Sequence, residues 1–241
     1  MLDISRVQKI APLVAALSIS FILGGCGVKN VKISDESRAS LGDGSDIVAS
    51  YHGPVQPNIL TPAGALGASE RGSLLGAFMN DKDREMKGIT SSDSFTKMDG
   101  PMKEVRNHLV KTLASRGMDK LTTTEHPSDR FKRGQANAAE LSEEFGKRYV
   151  LAIEPSTWNI MYFATNWNRY WMQFYAEGVI IDSDSGQELW RSRCNGNVDD
   201  KEVAPTWEEL NANDRQLLQE WIKKGAATCA QQLTDDLVGK I

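Results

Sequence analysis

The sequence is poor in the residues that build metal and redox sites. It has three cysteines and three histidines in 241 residues. No Cys-x-x-Cys or His-x₃₋₅-His spacing occurs, so neither a zinc site nor another metal is expected. His52, His108 and His126 are scattered and read as surface residues. There is no Gly-x-Ser-x-Gly elbow, no Walker loop and no dinucleotide fingerprint. No run of 20 apolar residues appears, which excludes a multi-span membrane protein. Positive charge is not in surplus: 28 basic residues stand against 32 acidic ones, net −4. A general nucleic-acid binder is therefore not expected. What remains is ordinary globular composition, 40% hydrophobic and 25% charged, enough for a sizeable core.

The N-terminus has the pattern of an export signal. Arg6 and Lys9 supply positive charge, and Ile10 to Leu23 is an apolar run too short to span a bilayer. It ends in Leu23-Gly24-Gly25-Cys26. Small residues before a cysteine fit a narrow peptidase pocket, and the thiol is the nucleophile for a diacylglyceryl group. This resembles the lipobox of bacterial lipoproteins. The competing expectation is a plain secretory signal followed by a structural cysteine. The resemblance implies residues 1–25 as signal peptide and a lipidated Cys26 as the membrane anchor. Gly27, rather than Asp, follows the cysteine, which implies the periplasmic face of the outer membrane.

Residues 26–71 are rich in Gly, Ser, Pro and Ala and hold no apolar period. They read as a flexible tether, with a coil span of about 35–40 Å. Residues 72–241 read as one periplasmic α+β domain. Ser73–Met79 is expected as a first strand and 80–97 as a polar loop. A helix follows from Asp99 to Arg116, with Met102, Val105, Leu109 and Leu113 on one face and Gly117 as its stop. Met118–Thr124 is a weaker strand, and a second helix covers about 135–145. Tyr149–Ile153, apolar on both faces, reads as a central strand. Thr157–Phe163 continues it after a break at Pro155, and 164–168 reads as a turn.

Tyr170–Ile181 alternates. Tyr170, Met172, Phe174, Ala176 and Ile180 share one face; Trp171, Gln173, Tyr175 and Glu177 share the other, half-exposed one. Asp184-Ser185-Gly186 marks a hairpin turn. Register pairs Asp182 with Glu188, Ile180 with Trp190 and Ala176 with Cys194, because a slip by one residue would expose Trp190. The last helix, Asp214–Leu237, carries Leu218, Ile222, Gly225, Cys229, Leu233 and Leu237 as its apolar stripe. Both readings turn Cys194 and Cys229 inward, so a disulfide is expected if this helix packs on the hairpin. It would close a loop of about 35 residues, worth about 3.8 kcal/mol in the chain-entropy model. Two buried free thiols are the alternative.

The fold class expected is α+β, with helices on a mixed sheet and a long C-terminal helix. Chemistry is sparse. Ser94-Phe95-Thr96-Lys97 matches Ser-x-x-Lys without its companion motifs, and a loop explains it better. Asp182-Ser183-Asp184 begins like a calcium loop but has Arg193 where the bidentate glutamate belongs. No catalytic residue and no cofactor is assigned, and the protein is not expected to be an enzyme. The aromatic cluster is more informative. Trp167, Tyr170 and Trp171, with Arg169, lie about one turn and are candidate binding residues for protein or glycan. The competing expectation is that most of these rings fill the core.

Residues 73–241 resemble the periplasmic domain of the curli-secretion and penicillin-binding-protein-activator lipoproteins. The stretches that carry this are Ala139-Glu140-Leu141 to Leu151, Ala176-Glu177-Gly178-Val179-Ile180-Ile181-Asp182, and Ser185-Gly186-Gln187-Glu188-Leu189-Trp190. The resemblance implies a domain used for binding and assembly in the cell envelope. Its partners would be a periplasmic or outer-membrane protein, with peptidoglycan as a further candidate.

Overall fold

The structure is a computed structural model and describes residues 30–53, 56–60, 95, 98–125 and 138–239. The elements in chain order are α1 (Asp35–Leu41), β1 (Ile47–Tyr51), β2 (Asn58–Ile59), α2 (Pro101–Ala114), β3 (Thr122–Thr123), α3 (Ala138–Phe145), β4 (Tyr149–Phe163), β5 (Asn166–Asp182), β6 (Glu188–Asn195), α4 (Trp207–Asn211) and α5 (Gln216–Val238). The six strands form one mixed sheet in the order β3-β1-β4-β5-β6, with β2 also paired to β4. β1 is parallel to both β3 and β4, whereas β4–β5 and β5–β6 are antiparallel. This is the expected α+β class.

The tether reading is corrected for the described residues of 30–60. Ile47–Tyr51 is an inner strand, in register with Tyr149–Ile153 of β4. Its burial is nearly complete, and Ile47 and Ala49 belong to the main core. Five residues are too few to reveal a period, and their glycine-rich flanks mask them. α1 is capped by Ser34, whose Oγ accepts from the Ser37 N–H at 3.0 Å. Arg38 Nε donates to Leu237 O at 2.9 Å, which places a cation at the C-terminal end of α5. The fold therefore includes residues from Val31 onward and does not begin at residue 72. The expected strand Ser73–Met79 lies outside the described residues, as does the 80–97 loop apart from the buried Phe95.

α2 forms where its period requires. Pro101 occupies the first turn after Gly100, and Met102, Val105, Leu109 and Leu113 are buried. Asp99 does not cap the backbone; it takes Lys103 Nζ at 3.0 Å instead. Gly117 has φ +99°, and the Met118 N–H reaches Leu113 O at 3.1 Å, a closed helix end. β3 is shorter than expected, two residues only. α5 begins at Gln216 because Asn213, Asp214 and Arg215 all have positive φ. α4 was not expected from the sequence. Thr206 and Glu209 form a reciprocal capping box at its start.

Pro155 does not break β4. A bulge between Pro155 and Thr157 absorbs it, and one strand runs from Tyr149 to Phe163. β5 starts at Asn166, so the turn is shorter than 164–168. The hairpin register is as expected at Ile180–Trp190 and Ala176–Cys194. An irregularity at its closed end sets Glu188 against Ile181 rather than Asp182. Leu218, Ile222, Gly225, Cys229, Leu233 and Leu237 are all buried. Cys194 and Cys229 are joined by a disulfide, with Cα atoms 4.9 Å apart. It ties β6 to α5.

The core lies between one sheet face and helices α2 and α5. Two glycines set how closely α5 approaches. A Cβ on Gly225 would overlap the carbonyl of Gly196 and come within 2.7 Å of the Phe174 ring. A Cβ on Gly196 would overlap that same ring.

Candidate functional site

The opposite face of the sheet changes character along β4, β5 and β6. At one end Val48, Val150, Ala152, Val179 and Ile181 form a second apolar cluster, with Phe145 of α3 against it. In the middle is a charged group. Arg191 Nη1 donates to Glu177 at 2.7 Å and to Glu154 at 3.1 Å. Its Nε and Nη2 make a bidentate pair with Glu188 at 3.0 and 2.8 Å. Arg191, Glu154 and Glu177 are buried.

Three carboxylates share this single guanidinium. Burial pushes the Glu154 carboxyl above its ordinary value, against the lowering effect of Arg191. Burial also opposes the charge on Arg191, but its bonds to Glu188 and Glu154 outweigh this and hold it protonated. The sequence reading missed this cluster. The signal was Glu177, placed among the alternating residues of a β5 face read as half exposed.

Beyond the bulge the face becomes aromatic and amide-rich. Met161 pairs with Trp171 across the strands, Asn159 with Gln173 and Thr157 with Tyr175. Asn159 Nδ2 donates to Gln173 Oε1 at 2.8 Å. The Phe163 and Trp171 rings stack at 6.3 Å and 29°. The exposed Arg193 guanidinium lies 4.4 Å from the centroid of Tyr175. Trp171, Gln173, Tyr175, Asn159 and Met161 are all part-exposed. The bulge matters here, because it re-aims β4 so that Asn159 and Met161 join the β5 row.

The four candidate binding residues separate. Trp171 is on the open face. Trp167 is 55% exposed at the β4–β5 hairpin end, its Nε1 donating to Ala164 O at 3.0 Å. Arg169 is tied to α4 and the chain before it, through Glu209 at 3.1 Å and Ala204 O at 2.9 Å. Tyr170 is corrected to core: it is 0% exposed and packs on Trp207 at 5.6 Å. It alternates with Trp171, so one of the two had to point inward. Trp158 of the same aromatic set is also buried. Cys26, Ser94 and Lys97 lie outside the described residues.

Among the described residues no group of three or more His, Cys, Asp or Glu could hold a metal ion. No helix among them is long and apolar enough to cross a membrane. Among the described residues this face offers part-exposed rings, amides in a row and the exposed Arg193 cation.

No protein-family model and no curated protein matches the chain. Among solved structures, it is similar to a dodecamer of a PelC variant from Paraburkholderia phytofirmans, at 11% identity and TM-score 0.39, over 88% of this chain and 97% of that one. It is similar to the lipoprotein GNA1162 from Neisseria meningitidis, at 14% identity and TM-score 0.25, over 72% of this chain and 97% of that one. A third is the LpoB C-terminal domain from Salmonella enterica, at 15% identity and TM-score 0.25, over 68% of this chain and 92% of that one. These structural neighbours include bacterial lipoproteins, and the likeness is loose.

Proposed function

We propose that this is a lipid-anchored protein of the bacterial envelope that binds a protein partner through the open face of β4, β5 and β6. Cys26 carries the anchor, and the domain lies in the periplasm at the outer membrane. The observation behind the binding role is the row of part-exposed Met161, Trp171, Gln173 and Tyr175 beside Arg193. Aromatic rings with a neighbouring arginine are the side chains that most often dominate protein interfaces. The role is binding and not catalysis, since the carboxylates of the neighbouring cluster are taken up by Arg191.

The test is capture of the protein from crosslinked intact cells, with wild type beside Trp171→Ala and Arg193→Ala. A stoichiometric envelope protein, lost in both variants, supports the reading. The same capture from wild type and variants contradicts it.

Peptidoglycan is the second reading. The Asn159–Gln173 amide pair beside Trp171 favours it, because sugars are held by ring stacking and amide hydrogen bonds. Sedimentation with purified sacculi, lost on Trp171→Ala, supports this reading instead.

A further inference from the structure

The open face carries a row of side-chain amides that crosses the strands. Asn58 of β2 stands opposite Asn159 of β4, and Asn159 opposite Gln173 of β5. The β5–β6 register continues past the end of β6: Tyr175 pairs with Asn195, and Met172 with Val198. Gln173 therefore stands opposite Asn197. Ile59 and Val198 are buried in the main core, and a Cβ on Gly196 would meet the Phe174 ring there. Alternation turns Asn58 and Asn197 to the open side. The row from Asn58 to Asn197 spans about 14 Å, at about 4.8 Å per step between strands.

Among the described residues the row is not saturated. Asn159 Nδ2 donates to Gln173 Oε1 at 2.8 Å, which leaves Asn159 Oδ1 and Gln173 Nε2 over. Asn197 Oδ1 has no hydrogen-bond partner, and Asn58 is exposed. A carboxamide presents the same donor and acceptor as a peptide group. The backbone edge of an extended peptide lying across the strands can therefore pair with the row. About four residues cover it, at about 3.3 Å each.

The flanks of the row set the side chains such a peptide needs. With one backbone edge on the row, successive side chains turn to opposite flanks. One flank holds Met161 and Trp171, which pair across β4 and β5. The other holds Tyr175, with the exposed Arg193 guanidinium 4.4 Å from its ring centroid. Arg193 makes no ion pair among the described residues. Glu154, Glu177 and Glu188, the neighbouring carboxylates, are bound to Arg191. The exposed Asp199 and Asp200, just past the row, disfavour an acid on the Trp171 flank. A glycan fits less well. Sugars stack on open ring faces, and one face of Trp171 lies against Phe163 and one of Tyr175 under Arg193.

We infer that the open face binds an extended peptide segment across its strands, with the peptide backbone on the amide row, an acidic side chain at Arg193 and the adjacent apolar one at Trp171. This rests on the protein-binding reading above and names the chemistry of the partner. Main-chain bonds to the amides give affinity, and the two flanks give specificity.

A linear phage-displayed library of about seven residues, long enough to cover the row, is panned against the purified full chain. A library closed into loops by a disulfide is panned beside it. Enriched sequences are made as free peptides and titrated. The expected result is enrichment of linear sequences with Asp or Glu next to a large apolar residue. Their binding should fall about five-fold in Asn159→Ala and in Gln173→Ala, the loss of about one hydrogen bond each. In Arg193→Gln the acidic peptide and its amide counterpart should bind alike. These positions are part-exposed or exposed, so the urea midpoints should stay at the wild-type value. No enrichment of linear peptides, or equal binding by the Asn159 and Gln173 variants, overturns the inference. If crosslinked cells still yield an envelope protein that Trp171→Ala loses, the protein-binding reading stands without it. If sacculi sediment the chain, Gln173→Ala abolishes this and no peptide is enriched, the row serves a glycan and the inference falls.

Discussion

Val31 and Arg191 exchange both backbone hydrogen bonds across the outer edge of β6, at 2.9 Å each. The side chain of the same Arg191 crosses to Glu154 and Glu177 on β4 and β5. One residue thus joins the N-terminal segment to the charged centre of the sheet. An edge strand with free N–H and C=O groups would invite pairing with another chain, and Val31 covers that edge.

Val31→Pro removes one of these two donors and leaves the Arg191 side chain untouched. The expected loss is about 1 kcal/mol. Val31 O still accepts from the Arg191 N–H, so the loss is read as a lowered midpoint in urea. An unchanged midpoint would show that the Val31 N–H bond does not hold this edge.

Gly225→Ala should destabilise the fold. Alanine gains about 1 kcal/mol in helix propensity over glycine. Against this, overpacking costs about 1–3 kcal/mol or more. The contact is with the Gly196 carbonyl, which cannot rotate away. A lowered midpoint in urea is the expected result.

Much of the fold was readable where the residues repeat over several turns or strands. α2 and α5 were, because Met102, Val105, Leu109 and Leu113, and Leu218 to Leu237, recur with helical period. The Ile180–Trp190 register was readable because only one register buries Trp190. β1 was not. Its five residues pair in parallel with β4, about 100 positions later, and such a partner leaves no local trace. The site was half readable. Alternation separates Trp171 from Tyr170, but the bulge that brings Asn159 and Met161 beside Trp171 depends on how β4 and β5 pair.

The disulfide should be a major source of stability. Replacing both Cys194 and Cys229 by alanine is expected to cost about 2–4 kcal/mol, read by urea unfolding. Dithiothreitol should lower wild-type stability comparably and leave the double variant unchanged.

Glu154→Gln should change the pH profile in a set direction. The folded state raises the carboxyl above its ordinary 4.5, so it holds a proton more tightly than the unfolded chain does. Its favourable contribution is complete below pH 4.5 and is lost as pH rises through the raised value. Glutamine stays neutral and can still accept from Arg191. The variant should therefore gain on wild type as pH rises from 4.5 through the raised value. A constant difference across that range would contradict the direction of the shift.

The binding claim is tested most directly by a photoreactive residue placed at Gln173 in intact cells, with one at Lys224 as the control. Gln173 lies in the open row, and Lys224 is exposed on α5, which packs against the opposite face of the sheet. The account predicts one discrete protein adduct from position 173 and none from 224. No protein adduct at 173, or the same adduct from both positions, would contradict it.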